Sequence, residues 1–216
     1  VLPAEAGSAG NEVVAHMKVS KKPLPGSTVH MAGGRQGGGF QRVVYGGNLI
    51  NRISIHNIYM AYGGTSRGWQ PGPIVYTSYD YGAPINEARQ LRDKAHVLKQ
   101  MGSMVQAANP VLAQMDKGEP LTPSNPRIKL YHNVNKALGS HVILAQHNPS
   151  SSTGTEAFSF PLQTRDGRYQ VPQAGRLQLS GQDAKFWLAS YAMERQQLVY
   201  STSELQTHLR QGAQDL

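Results

Sequence analysis

Apolar residues in this chain fall in short runs whose spacing changes near residue 110. Phe40 to Tyr45 is a short apolar run that suits either the end of a helix or a strand. Ile50 to Tyr62 carries Ile53, Ile55, Ile58, Tyr59 and Met60 before Gly63-Gly64, the pattern of a largely buried strand stopped by glycines, with Tyr59 and Tyr62 in the core. Ile74 to Tyr81 reads as another strand. From Asn86 onward, Ala88, Leu91, Ala95, Leu98, Met101 and Val105 recur at three- and four-residue intervals. That spacing predicts an amphipathic helix of about five turns, capped by Asn86 and stopped at Asn109-Pro110.

Beyond Pro110 a proline-rich polar connector runs to Pro126, and short apolar stretches follow, separated by Asn, Ser, Gly and Asp. Such punctuation predicts strands over Ile128–His132, Ser140–Gln146, Ala157–Leu162, Arg176–Leu179, Lys185–Tyr191 and Gln197–Ser201. Arg165-Asp166-Gly167-Arg168 suits a hairpin turn, because Asp-Gly accepts positive φ at low steric cost. Residues 1–39, rich in Gly, Ser, Lys and Pro, read as loop-like and poorly ordered. The expected order is thus an α/β part followed by an antiparallel β part.

Composition narrows the chemistry. With no cysteine among 216 residues, thiol nucleophiles, thiolate metal sites and disulfides are excluded. A net charge of +8 raises an acidic partner as an option, yet the basic residues are dispersed and no ribonucleoprotein or zinc-finger pattern accompanies them, so no nucleic-acid partner is expected. No apolar run reaches the roughly 18–20 residues a membrane helix needs, and no membrane partner is expected. The eight histidines show no ligand-like spacing with carboxylates, and the serines lack a nucleophile-elbow context. The glycine runs at 33–34 and 37–39 do not follow the pattern of a phosphate loop.

The segment Val75-Tyr76-Thr77-Ser78-Tyr79-Asp80-Tyr81-Gly82-Ala83-Pro84-Ile85, with Glu87 just after it, resembles the motif that ends the last barrel strand of family-35 glycoside hydrolases. Phe40–Tyr45 and Asn57–Thr65 are similar, in order and spacing, to the helix and strand before it, while Leu177–Lys185 and Leu198–Leu205 resemble strands of the second domain in the large fungal β-galactosidases. The resemblance runs from about residue 40 to 209. It implies the C-terminal part of a (β/α)8 TIM barrel over residues 1–112, a linker over 113–126, and an antiparallel β-sandwich or jelly-roll-like domain over 127–216. A complete barrel takes about 250 residues, so the barrel in this chain is expected to be partial.

Further implications are a retaining β-galactosidase, a β-galactoside as substrate, no cofactor or metal, and secretion. Retention needs two carboxylates about 5–5.5 Å apart, one attacking the anomeric carbon and the other protonating the leaving oxygen. The family's acid/base Glu belongs to an earlier strand and matches no residue here. Glu5 lies near the place of the nucleophile, without the Phe-Gln that follows it in the family, and a solvated chain-end carboxylate is the alternative. Tyr81 corresponds to the tyrosine that contacts bound galactose; its ring suits the apolar sugar face and its hydroxyl a hydrogen bond. Asp80 is expected to be structural, satisfying backbone donors or a neighbouring Arg. Two departures stand out: Ser66-Arg67 in Gly63-Gly64-Thr65-Ser66-Arg67-Gly68-Trp69 replaces the family's Asn, and a cysteine that the family tends to carry near Ala32 is absent.

Overall fold

The computed structural model describes residues 5–6, 13–16, 26–31, 37–66 and 77–215, which divide into two compact units: 1–41 with 53–99, and 42–52 with 100–216. In the first unit, β1 (Glu5–Ala6), β2 (Val13–His16), β3 (Gly26–Met31) and β4 (Ile53–Tyr59) form one sheet in that order. The β1–β2 and β2–β3 pairs are antiparallel, whereas β3 and β4 are parallel, joined through a stretch that contains helix α1 (Gly38–Ile50). Parallel neighbours need a long crossover, and this helix supplies it. Strands therefore occupy part of the segment expected to be loop-like. Its Gly and Lys content argues against strands locally, but pairing with β4 decides, because β preference depends on context.

The open choice at Phe40–Tyr45 resolves as helix. On β4, Ile53 is buried but Ile55 is 53% exposed and Asn57 is exposed, so the strand is not the largely buried one expected. No closed barrel is present among the described residues. Two further short strands, β5 (Gly64–Thr65) and β6 (Ser78–Tyr79), pair antiparallel. Residues 74–76 of the expected second strand lie outside the described residues.

Helix α2 (Asp93–Leu112) starts later than predicted. Asn86 is not its cap: its Oδ1 accepts from the Gln90 amide at 2.8 Å and its own amide donates to the Gln90 carbonyl at 3.0 Å, closing a separate turn. The helix also passes Pro110, which removes one amide donor without stopping the last turn. Buried Asn135 acts at the end of the helix, donating to the carbonyls of Pro110 and Val111, each at 3.2 Å, which have no later helical amide to accept from, while its Oδ1 accepts from the Leu138 amide at 3.1 Å.

The second unit is built on a four-stranded antiparallel sheet, ordered β14 (Ala184–Ala189), β9 (Ser140–His147), β8 (Ile128–Asn135), β7 (Asp116–Lys117). On one face Val142, Leu144, Phe186 and Leu188 pack with Leu49 and Ile50 of α1 and with Met104, Ala108 and Val111 of α2. On the other, Ile143, Ala145 and Trp187 pack with Phe158, Phe160, Leu162, Val171 and Leu179. Those last residues come from two hairpin-like pairs, β10 (Thr155–Phe158) with β13 (Leu177–Ser180) and β11 (Phe160–Gln163) with β12 (Arg168–Val171). A turn links β11 and β12 where one was predicted, but neither Asp166 nor Gly167 takes the positive φ expected of it; the Thr164 amide donates to the Gly167 carbonyl at 2.9 Å to close the turn. The pairs β15 (Tyr191–Met193) with β16 (Gln196–Leu198) and β17 (Arg210–Gln211) with β18 (Gln214–Asp215) complete the chain.

An ionic cluster fastens α1 to this unit. Arg42 Nε meets Asp183 at 3.1 Å and its Nη2 donates to Glu204, while Lys185 reaches the same two carboxylates at 3.3 and 3.5 Å. Glu204 also accepts from the Phe186 amide at 2.9 Å. Within β8 and β9, His132 Nε2 and His141 Nδ1 lie 2.9 Å apart with ring planes 3° from parallel. That separation is shorter than contact between stacked faces, so the rings meet edge to edge in nearly one plane. His132 Nδ1 donates to the Glu119 carbonyl at 2.7 Å, which leaves its Nε2 to accept from His141. Burial first, then the neighbouring His132, hold the His141 pKa down to about 4.

Two measurements check this account. Asn135→Ala leaves helix carbonyls and the Leu138 amide without their partner and is expected to lose about 1–3 kcal/mol, read as a lower urea midpoint at unchanged slope. Because His141 binds its proton less readily folded than unfolded, the neutral pair contributes stability at neutral pH that is lost as the pH falls from the ordinary histidine range towards about 4. His141→Gln is therefore expected to flatten the fall of the urea midpoint across that window.

Candidate active site

The segment that carries the Tyr-Asp-Tyr motif folds into a turn between β6 and α2. Tyr81 and Gly82 both take left-handed backbone, with φ of 48° and 70°. For a tyrosine that conformation is uncommon and must be held by its surroundings. Asp80 does much of the holding: Oδ1 accepts from the Gly82 amide at 3.0 Å, Oδ2 accepts from the Glu87 amide at 2.9 Å, and Arg92 Nη1 meets Oδ1 at 2.7 Å. The same Arg92 nitrogen donates to the Ala83 carbonyl at 2.6 Å, and Lys94, only 5% exposed, donates to the Gly82 carbonyl at 2.9 Å. Arg92, just before α2, and Lys94, in its first turn, thus grip the turn.

Glu87 ties the two short strands together, accepting from Thr65 Oγ1 and Ser78 Oγ, each at 2.5 Å. Main-chain bonds from the Gly63 amide to the Ile85 carbonyl at 2.8 Å and from the Ile85 amide to the Ala61 carbonyl at 3.0 Å join the turn to the end of β4. Gly63 is required there by close approach, since a Cβ would fall 2.7 Å from the Asp80 backbone. The Tyr79 and Tyr81 rings meet edge to face with centroids 5.1 Å apart, and both are half-buried.

Arg92, with its hydrogen bond foremost, holds the Asp80 carboxyl below the usual carboxylate range, and the two hydroxyl donors do the same for Glu87. Both groups stay ionised, with their oxygens already engaged. Neither is disposed to shuttle a proton, and the structural role expected for Asp80 matches its contacts. Tyr62 differs from expectation: it is 45% exposed, bridged to Ile85 through its backbone, and is not a core residue. Glu5 opens β1, paired with Val14, and its side chain lies outside the described residues. So do Arg67–Trp69 of the glycine block and Ala32. The parts sequence reasoning missed are Arg92 and Lys94, whose only signal is a basic pair just after the motif. Among the described residues no group of three or more His, Asp or Glu is placed to hold a metal ion.

The turn falls inside a region, residues 37–105, that matches the family model of the glycosyl hydrolases family 35, and residues 112–216 match that of β-galactosidase domain 2. The chain belongs to the family-35 glycosyl hydrolases. It is 32% identical over 171 residues to a probable beta-galactosidase C of Aspergillus flavus, covering 78% of this chain and 17% of that protein. Its likeness to the probable beta-galactosidase C of Aspergillus niger is 30% over 180 residues, 82% of this chain and 18% of the relative. The one from Penicillium rubens is 32% identical over 171 residues. The chain thus spans about a sixth of the length of these relatives.

If Asp80 anchors the turn as a charge, Asp80→Asn is expected to cost roughly 1–2 kcal/mol at neutral pH. The folded carboxyl is held acidic, so its contribution is present above the ordinary aspartate pKa and disappears as the pH falls through the folded value. Urea midpoints of parent and variant should therefore converge in acid.

Proposed function

We propose that this chain is part of a retaining β-galactosidase, secreted, that hydrolyses terminal non-reducing β-D-galactose residues through a covalent glycosyl-enzyme intermediate. The observation that carries the reading is Tyr81, held half-buried on left-handed backbone by Asp80, Arg92 and Lys94 within the region that matches family 35. A half-exposed aromatic ring on a turn with little freedom suits the apolar face of a sugar, and its phenol can hydrogen-bond a ring hydroxyl. Holding the ring before substrate arrives lowers the ordering cost of binding.

In this reading Tyr81 contacts galactose and Glu5 serves as nucleophile. The acid/base carboxylate is assigned to no residue of this chain. Residues 1–112 then form the terminal portion of a (β/α)8 barrel, 113–126 a linker, and 127–216 a β-sandwich or jelly-roll-like domain. The two-layer packing of the central sheet on β10–β13 and β11–β12 supports the last assignment. A second reading, a non-catalytic carbohydrate-binding or structural module, is favoured by the commitment of both Asp80 and Glu87 to structural contacts.

The test uses the purified chain with a chromogenic β-galactoside and with galactose, beside Glu5→Gln and Tyr81→Phe. Galactose is expected to shift the amide resonances of residues 77–87 in the parent, and Tyr81→Phe to weaken that response about tenfold, the worth of one hydrogen bond to bound sugar. Resonances that stay unmoved would remove Tyr81 from the site, and turnover that survives Glu5→Gln would remove Glu5 as nucleophile.

A further inference from the structure

The ribbon of β5 and β6 has two unlike faces. Gly64 stands opposite Tyr79 and Thr65 opposite Ser78. In an antiparallel pair opposed residues share a face, while neighbours along each strand alternate. Thr65 and Ser78 therefore occupy one face, where both hydroxyls donate to Glu87. Tyr79 occupies the other. Tyr62 reaches that same face, because its ring carbon Cε1 lies 3.7 Å from the place a Cβ on Gly64 would take. The Tyr81 ring meets that of Tyr79 at 5.1 Å between centroids. Tyr79 thus has Tyr81 against its ring and Tyr62 across a glycine that puts no side chain between them.

Tyr62 is fixed in place although it is 45% exposed. Its backbone bridges Ile85, and the next amide, of Gly63, donates to the Ile85 carbonyl at 2.8 Å, so the ring is carried at a set distance from the turn that holds Tyr81. It follows the end of β4 by three residues, and β4 is paired in parallel with β3. The C-terminal ends of parallel strands are where barrel enzymes carry their substrate contacts. A phenol offers an apolar face to a pyranose ring and a hydroxyl to its oxygens. A pyranose is about the size of one such ring, so a galactose held on Tyr81 leaves Tyr62 for whatever is attached to it.

We propose that Tyr62, across Gly64 from Tyr79, contacts a second sugar ring β-linked to the galactose, and so favours galactosides whose leaving group is itself a sugar. The inference rests on the reading of Tyr81 as the galactose contact. Gly64 keeps the path between the two contacts clear, and Tyr79 braces the Tyr81 ring beside it.

Titration of the full chain with methyl β-galactoside and with lactose, followed by amide resonances, tests this, since the two ligands share the galactose and differ in the group it carries. Both are expected to move the amides of residues 77–87, and lactose alone those of residues 62–65. Lactose should bind about fivefold more tightly, the worth of one aromatic contact. Tyr62→Ala should bring the two affinities to within about twofold of each other, whereas Tyr62→Phe, which keeps the ring, should hold them apart. Gly64 has no positive φ, so Gly64→Val places a side chain between the tyrosines without backbone strain and should also remove the preference for lactose. If residues 77–87 respond but the parent binds both ligands equally, or the preference survives Tyr62→Ala, the second contact is overturned and Tyr81 stands. If neither ligand moves residues 77–87, both readings fall.

Discussion

Everything in the second unit depends on one strand being buried on both faces. Along β9, Val142 and Leu144 enter one core while Ile143 and Ala145 enter the other. A strand of that kind cannot face water on either side, so it recruits helices to one face and hairpins to the other, and its register is fixed because a slip of one residue would exchange the two cores. Trp187 on β14 sits over Phe158 and Phe160 with ring centroids 6.3 Å from each, joining the sheet to the hairpin side.

Charge is used differently in the two units. In the first, Asp80, Glu87, Arg92 and Lys94 are spent on backbone amides, carbonyls and hydroxyls around one turn, which holds an uncommon backbone conformation at Tyr81. In the second, Arg42, Lys185, Asp183 and Glu204 form a partly buried network that joins α1, β14 and the C-terminal segment. A network whose carboxylates also accept main-chain amides resists separation more than isolated surface pairs do. Burial has a related consequence for an imidazole: beside His132, His141 takes up a proton less readily than a solvated histidine does.

Much of this was legible in the amino-acid order. The apolar runs at 128–132, 140–146 and 176–179 and the Asp166-Gly167 turn mark β-structure because strand periodicity and turn chemistry are local. The Val75–Ile85 motif marks the candidate site. Sequence by itself therefore determined the family, the succession of an α/β part and a β-rich part, and the residue on which sugar recognition is proposed to rest. Tertiary structure alone decided that strands form within residues 1–39, since β3 depends on a partner that follows a helix later. It also decided that α2 starts at Asp93, since Asn86 is taken by Gln90, and that the helix runs past Pro110 to an end where Asn135 from a distant strand meets the last carbonyls. Arg92 and Lys94 came to hold the turn for the same reason: a charge acquires a role from the groups it faces, and those are chosen by packing across the fold rather than by spacing along the chain.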